Sequence, residues 1–223
     1  MKRIKKIILK TVLLFLALSI LPVIAYRFLP VYITPLMVIR HVKNDSPIHH
    51  KWTPIENISP HLIHAVVASE DNLFLTHRGF DTKAIREAIG EAKKGNKNRG
   101  ASTITQQTAK NIFLWPNRSW VRKGLEAYFT ILIEIIWSKE RIMEVYLNSI
   151  EMGNGIYGAW AVAEQHFNTT PDKLTRSQCA LIAGSLPNPL IMSSKKPSPY
   201  LLRRQSAILR NMNNIGRVKF EQK

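Results

Sequence analysis

From Thr11 to Tyr26 the chain runs without a charge and is dominated by leucine, isoleucine and valine, directly after an opening, Met1-Lys2-Arg3-Ile4-Lys5-Lys6, that carries four positive charges. Extended from Ile7 to Pro30, with Lys10 and Arg27 snorkelling at its two faces, the run reaches the roughly 20 residues that a bilayer span requires. Basic residues ahead of the span leave the amino terminus in the cytoplasm and everything after residue 30 outside. A cleaved signal peptide competes with this reading, because Val23-Ile24-Ala25 offers small residues at a cleavage site. No polar region precedes that cut and Arg27-Phe28-Leu29-Pro30 continues hydrophobically, which favours an uncleaved anchor.

Beyond the anchor the pattern is helical. Leu125, Phe129, Leu132 and Ile136 recur at helix spacing, and Ile142, Val145, Tyr146 and Ser149 resume it after a break near Ser138. Strand-like alternation is scarce. Val31 to Lys43 mixes apolar and basic residues and reads as a segment on the outer membrane surface, and Pro47 and Pro54 bracket a polar linker. Lys93-Lys94-Gly95-Asn96-Lys97-Asn98-Arg99-Gly100 has turn chemistry throughout and predicts a mobile basic loop, either simply solvated or a lid over an anionic ligand. Gly184-Ser185-Leu186-Pro187-Asn188-Pro189 ends the last strong helix, and a basic tail with Arg203, Arg204 and Arg210 follows. The expected division is an anchor over 1–30, a membrane-surface linker over 31–50 and one domain over 51–223.

Charge narrows the partner. With 32 Lys and Arg against 15 Asp and Glu, the formal net charge of the 223 residues is +17, which calls for a polyanion: nucleic acid, anionic lipid or a phosphorylated substrate. Export puts nucleic acid out of reach. Cys179 is the single cysteine, so no intrachain disulfide forms, and its place in the run Ser177-Gln178-Cys179-Ala180-Leu181-Ile182-Ala183 marks a packed core thiol. The seven His include no His-Glu-x-x-His pair, which argues against a zinc enzyme.

Two dense polar runs carry the chemistry. The first, Glu70-Asp71-Asn72-Leu73-Phe74-Leu75-Thr76-His77-Arg78-Gly79, puts an acid at the end of the apolar stretch Ala65-Val66-Val67-Ala68. Partial burial there would raise the carboxyl pKa toward a range useful for proton transfer. The second, Gly100 to Asn111, supplies hydroxyls, amides and the ammonium of Lys110. Arg122 and Glu126 lie four apart on one helix face, a spacing that an ordinary surface ion pair explains equally well. Lys139, Glu140, Arg141 and Glu144 would by themselves be a solvated helix face.

In order along the chain, Glu-Asp-x-x-Phe-x-x-His-x-Gly at 70–79, Gly-x-Ser-Thr-Ile-x-Gln-Gln-x-x-Lys-Asn at 100–111, Arg-Lys-x-x-Glu at 122–126 and Lys-x-x-Ile-x-Glu-x-Tyr-Leu-Asn at 139–148 closely resemble the peptidoglycan glycosyltransferase family at every defining position. The likeness covers about residues 45 to 215. A chain that stops there, without a penicillin-binding domain, is expected to carry the glycosyltransferase activity alone. Ser193-Ser194-Lys195-Lys196 satisfies a Ser-x-x-Lys pattern by chance, lacking a Lys-Thr-Gly partner.

The resemblance implies a mainly α, lysozyme-like domain with one N-terminal transmembrane helix, in the bacterial inner membrane with the domain outside. It implies polymerisation of lipid II, a disaccharide-pentapeptide on undecaprenyl diphosphate, by inverting glycosyl transfer. Glu70 is then the base that takes the proton from the incoming 4-hydroxyl, and Glu126 the second essential glutamate. Lys110, Arg118, Arg122 and Lys123 would neutralise the diphosphate, with Gln107, Ser102, Asn111, Asp71 and Arg86 as further substrate-binding candidates. Asp71 is expected to hydrogen-bond within the site, Phe74 and His77 to shape it, and Glu144, Tyr146 and Asn148 to stabilise their helix. No cofactor is required by the sequence, a divalent Mg²⁺ or Mn²⁺ ion being left open. The implied partners are lipid II, the growing glycan strand, membrane phospholipid and other cell-wall synthesis or division proteins, with no nucleic acid. A lysozyme-like hydrolase or lytic transglycosylase, with Glu70 as its acid, is the rival, but it has little use for a cation cluster beside that acid. A basic scaffold without catalysis would need neither Glu70 nor Glu126.

Overall fold

The computed structural model describes residues 2–94, 102–117 and 119–220, and they are mainly α-helical. The apolar start forms α1, Lys2–Tyr26, and a turn through Arg27 and Phe28 leads to the short helix α2, Pro35–Asn44. At 1.5 Å per residue the 25 residues of α1 extend about 37 Å, enough to cross a hydrocarbon core of about 30 Å. Ile7, Leu14, Leu18 and Leu21 are exposed along its length, so this helix fits a single-pass membrane anchor.

The anchor is fastened to the domain at its carboxyl end. Helix α6, Trp120–Ile136, runs beside it: Tyr128 and Ser19 share a hydrogen bond of 2.8 Å, and Trp137, just past α6, donates its indole N–H to the Val23 carbonyl at 2.7 Å. Arg141 donates through Nε and Nη2 to the Tyr26 carbonyl at 3.0 and 2.8 Å. Carbonyls at a helix end have no intrahelical partners and carry partial negative charge, so a guanidinium there is well placed.

Two packed groups of helices make the domain. Helix α3, Pro60–Glu70, is apolar almost all round and packs against both α9, Arg176–Ser185, and α10, Pro199–Asn214, which also pack on each other. Leu62, Val66, Cys179, Ala180 and Ile182 are wholly buried in that contact, and a Cβ on Gly184 would stand 2.9 Å from Leu201 Cδ1, so α9 and α10 approach closely. The second group is α5, Ile104–Phe113, against α6 and α7, Lys139–Ser149, with Ile104, Ala109, Ile133, Ile142 and Tyr146 inside. Each wholly buried Val, Leu or Ile among them contributes about 1.5–3 kcal/mol. Hydroxyl caps start the helices: Thr34, Thr103, Ser119, Ser138, Thr175 and Ser198 each accept from the backbone N–H three residues on.

The remaining elements are α4, Thr82–Lys93, the helix α8, Gly158–Phe167, two 3-10 turns at Ile55–Asn57 and Pro171–Lys173, and a small sheet in the order β1-β3-β2. Its strands are β1, His49–His50, β2, Glu151–Gly153, and β3, Ile156–Tyr157, with β1 parallel and β2 antiparallel to β3. Gly158 ends β3 at φ +78°, where any Cβ would sit 2.5 Å from the Asn148 carbonyl oxygen, so glycine is required.

Two expectations change. Residues 31–50 carry more structure than a surface linker: Val31 and Met37 are fully buried, α2 packs on α5, and β1 belongs to the sheet, while Val38, Ile39 and Val42 keep an apolar face outward. The basic tail after Pro189 is not a tail. It forms α10, whose Leu201, Ile208 and Met212 pack inward, a stripe masked in the sequence by the arginines on its other faces.

Candidate active site

Glu70 is the last residue of α3, and burial of that helix brings its carboxylate half-buried to the wall of a groove. Its Oε2 accepts from Gln107 Nε2 at 3.0 Å, and Ser69 Oγ stands 3.2 Å from Oε1. Burial pushes its pKa above the ordinary carboxylate range, and the Asp71 charge pushes the same way; the hydrogen bonds from Gln107 and Ser69 and the Arg204 charge hold it partly back. Gln107 is itself oriented. Tyr146, wholly buried on α7, donates its hydroxyl to Gln107 Oε1 at 3.2 Å, which turns the amide nitrogen toward Glu70. Burial first, then Glu70 and Asp71, raise the Tyr146 pKa well above that of a free phenol, so it stays a donor. Tyr146 thus does more than stabilise its own helix. The same holds for Asn148, which exchanges two hydrogen bonds with the Thr53 backbone, and for Glu144, which accepts from the Ile55 N–H.

The start of α5 is pinned to the end of α3. Asp71 is buried and accepts the Ile104 N–H at 3.0 Å and His77 Nε2 at 2.8 Å. Gly79 N–H donates to His77 Nδ1 at 3.1 Å, an arrangement that turns Nε2 toward Asp71. Thr103 donates to the Gly79 carbonyl at 2.7 Å and forms a reciprocal capping box with Gln106. Gly79 has φ +86°, and a Cβ there would lie 2.7 Å from Thr130 Cγ2 on α6. This network sets which face of α5 meets the groove, and Gln107, Lys110 and Asn111 lie on it, one turn apart.

The groove has two lobes that share Leu36, Ser102, Gln107, Lys110, Asn111 and Glu151. One, of about 880 Å³, holds Glu70 with Arg204 and Asn211 of α10. The other, of about 460 Å³, holds Arg40, Arg122, Lys123 and Glu126. Lys110 stands at the waist, and no hydrogen-bond partner of its ammonium is found among the described residues. Burial lowers its pKa, as do the Arg122 and Lys123 charges, against Glu126 and Glu151, which raise it. Glu126 is almost fully buried, with Arg122 Nη1 2.8 Å from Oε2 and Lys123 Nζ hydrogen-bonded to Oε1. This is no solvated surface pair. Arg122 Nε and Asn111 Nδ2, on the wall of this lobe, are buried without a partner among the described residues, two donors left for an acceptor in the groove.

The residues from Met37 to Asn213 match the transglycosylase family model. The chain belongs to the transglycosylase family. It is 62% identical over 206 residues to the biosynthetic peptidoglycan transglycosylase of Bacteroides thetaiotaomicron, covering 90% of this chain and 83% of that protein. It is 50% identical over 204 residues to the protein of that name from Caulobacter vibrioides, at 92% and 89% coverage, and 52% identical over 210 residues to that from Bdellovibrio bacteriovorus, at 92% and 84%. The transglycosylase domain is lysozyme-like, in keeping with the helical architecture and the acid at the groove wall.

Of the residues singled out in the sequence, the transglycosylase groove gathers Glu70, Ser102, Gln107, Lys110, Asn111, Arg122, Lys123 and Glu126. Asp71 lies behind it as a support. Arg86 is exposed on α4 and lines neither lobe. Arg118 and residues 95–100 of the basic loop lie outside the described residues, while its first two residues, Lys93 and Lys94, end and cap α4. Sequence reasoning missed Arg40, Glu151 and Arg204. Only Glu151 left a signal, a carboxylate set between the apolar Ile150 and Met152.

Proposed function

We propose that this transglycosylase lengthens glycan chains from lipid II by one inverting displacement, with Glu70 as the base and the cation lobe receiving the diphosphate. The 4-hydroxyl of the incoming N-acetylglucosamine attacks C1 of the N-acetylmuramic acid at the reducing end of the growing strand. Its proton passes to Glu70, the bond from C1 to the diphosphate oxygen breaks, undecaprenyl diphosphate leaves with the electron pair, and the anomeric centre inverts from α to β. The acceptor occupies the Glu70 lobe and the diphosphate lies across the waist at Lys110 toward Arg122 and Lys123. A diphosphate is a good leaving group once its charge is met, so the second requirement is cationic rather than a second proton donor. Glu126, with an oxygen on each of Arg122 and Lys123, holds these two cations in place.

The observation that carries this reading is one groove with the Glu70 carboxylate in one lobe and, at its waist, the Lys110 ammonium, without a hydrogen-bond partner among the described residues, leading into a cation cluster in the other. A hydrolase needs the acid but not the cluster. We place the enzyme in the bacterial inner membrane with the basic amino terminus cytoplasmic and the groove outside, by the charge asymmetry across α1. Purified full-length protein incubated with lipid II should yield a polymer that muramidase digests. Release of fragments from preformed peptidoglycan, with no polymer from lipid II, would replace this reading with the hydrolase.

A further inference from the structure

We propose that Arg40, which lies outside all four sequence motifs, is a binding residue for the substrate diphosphate, delivered by the membrane-proximal helix α2 and only loosely paired with Glu151. This rests on the lipid-linked diphosphate reading above. The chain leaves the anchor at Tyr26 and enters α2 at Pro35, with Thr34 capping the helix through the Met37 N–H at 3.2 Å. Met37, wholly buried, fixes the face that α2 turns to the domain. Leu36 and Arg40, four apart on one face, both line the groove, Arg40 in the lobe that holds Lys110, Arg122 and Lys123.

Arg40 is under-used where it stands. Its Nη2 lies 3.5 Å from Glu151 Oε2, longer than a good hydrogen bond, and its Nε is buried without a partner among the described residues. A guanidinium offers five donors in a planar fork that fits phosphate oxygens in pairs. Glu151 is the fixed side of the contact. It is 6% exposed, sits opposite Tyr157 in the sheet, and has the Tyr157 hydroxyl 3.5 Å from Oε1. It also lines both lobes beside Lys110. Glu151 thus lines the groove beside Lys110 and pairs only loosely with Arg40, so a phosphate group entering this lobe would meet both cations. An arginine so loosely paired exchanges a buried carboxylate for a more highly charged anion at small cost. The membrane-proximal helix then becomes part of the diphosphate site, just past the anchor.

The test uses full-length protein in detergent, with binding of undecaprenyl diphosphate read by calorimetry and KM for lipid II read in the same micelles. Arg40→Ala should weaken diphosphate binding about 10-fold or more and raise KM in proportion, with kcat within about threefold, and Arg40→Lys should fall between it and the wild type. Glu151→Gln should bind the diphosphate at least as tightly as wild type, because a competing charge is gone. A purely structural latch predicts instead that Glu151→Gln weakens binding as Arg40→Ala does, and that result overturns the proposal. So does unchanged affinity in a folded Arg40→Ala protein. Should that variant fail to fold, Arg40→Lys and Glu151→Gln decide. If the wild type binds the diphosphate yet makes no polymer, the polymerase reading fails and the Arg40 comparison still stands. If the wild type polymerises and the Arg40 variants bind as it does, the Arg40 inference fails alone.

Discussion

Replacing Lys110 by methionine should move binding and stability in opposite directions. The stem of the side chain is kept and the ammonium removed. In the folded protein that ammonium is costly: burial and the neighbouring Arg122 and Lys123 depress its pKa below that of a free lysine, against partial compensation by Glu126 and Glu151. Between the depressed folded pKa and the ordinary unfolded one, the unfolded chain binds more protons, so stability rises with pH through that window. Below the depressed folded pKa the cost is present in full, about 1.4 kcal/mol for each unit of depression, and Lys110→Met removes it. The same change leaves a phosphate in the groove without its partner at the waist, a loss of about 2–5 kcal/mol for a desolvated charge pair. In affinity that is a weakening of about 30-fold to several thousand-fold. Calorimetric titration with a diphosphate-bearing lipid, beside thermal unfolding in detergent at neutral pH, reads both. Affinity within threefold of wild type, or a lower Tm, would refute the assignment of Lys110 as an ammonium held ready for an anion.

Tyr146→Phe should keep the fold at a cost of about 0.5–1.5 kcal/mol for the lost hydrogen bond and lower kcat several-fold, because the Gln107 amide is no longer turned toward Glu70; thermal unfolding and polymerisation rates check the two halves. A base is competent only when ionised, so the upward push on Glu70 should place the acid limb of the kcat/KM profile above the ordinary carboxylate range. Gln107→Ala removes a hydrogen bond that favours the ionised form, and the same profile should show the limb displaced further toward high pH. Gly79→Ala should lose at least ~1–2 kcal/mol from its positive φ alone, with more from the contact on Thr130, read as a fall in Tm.

Much of the fold was legible where one physical signal dominated. The uncharged run to Tyr26 predicts α1, and the periodic apolar positions around a break at Ser138 predict α6 and α7, with Ser138 as the cap of α7. Cys179 is indeed a packed thiol, its pKa pushed up to about 12 by burial. The helix after Pro189 was hidden because its apolar stripe is interleaved with Arg203, Arg204 and Arg210, so local composition reads as a solvated tail while packing against α9 decides otherwise. The motifs locate Glu70, Lys110 and Glu126, since each needs only its own segment to be recognised. Arg40 and Arg204 come from elements hundreds of atoms away along the chain, and only the packing of α2 on α5 and of α10 on α9 brings them to the groove. Nothing in a linear pattern encodes that juxtaposition. Tyr146 shows the intermediate case: its motif was visible, but its hydroxyl contact to Gln107 appears only when α7 packs on α5.

The central claim is that one carboxylate, Glu70, takes the proton while the cation lobe separately receives the diphosphate. The most direct measurement is the rate of polymer formation from saturating lipid II by Glu70→Gln, taken together with its affinity for undecaprenyl diphosphate. The amide keeps the shape and cannot accept the proton, so the rate should fall at least about 100-fold, as general-base loss requires. Diphosphate affinity should stay within threefold of wild type, and Tm should hold or rise, because a buried charge has been removed. Polymerisation within tenfold of wild type would contradict the account.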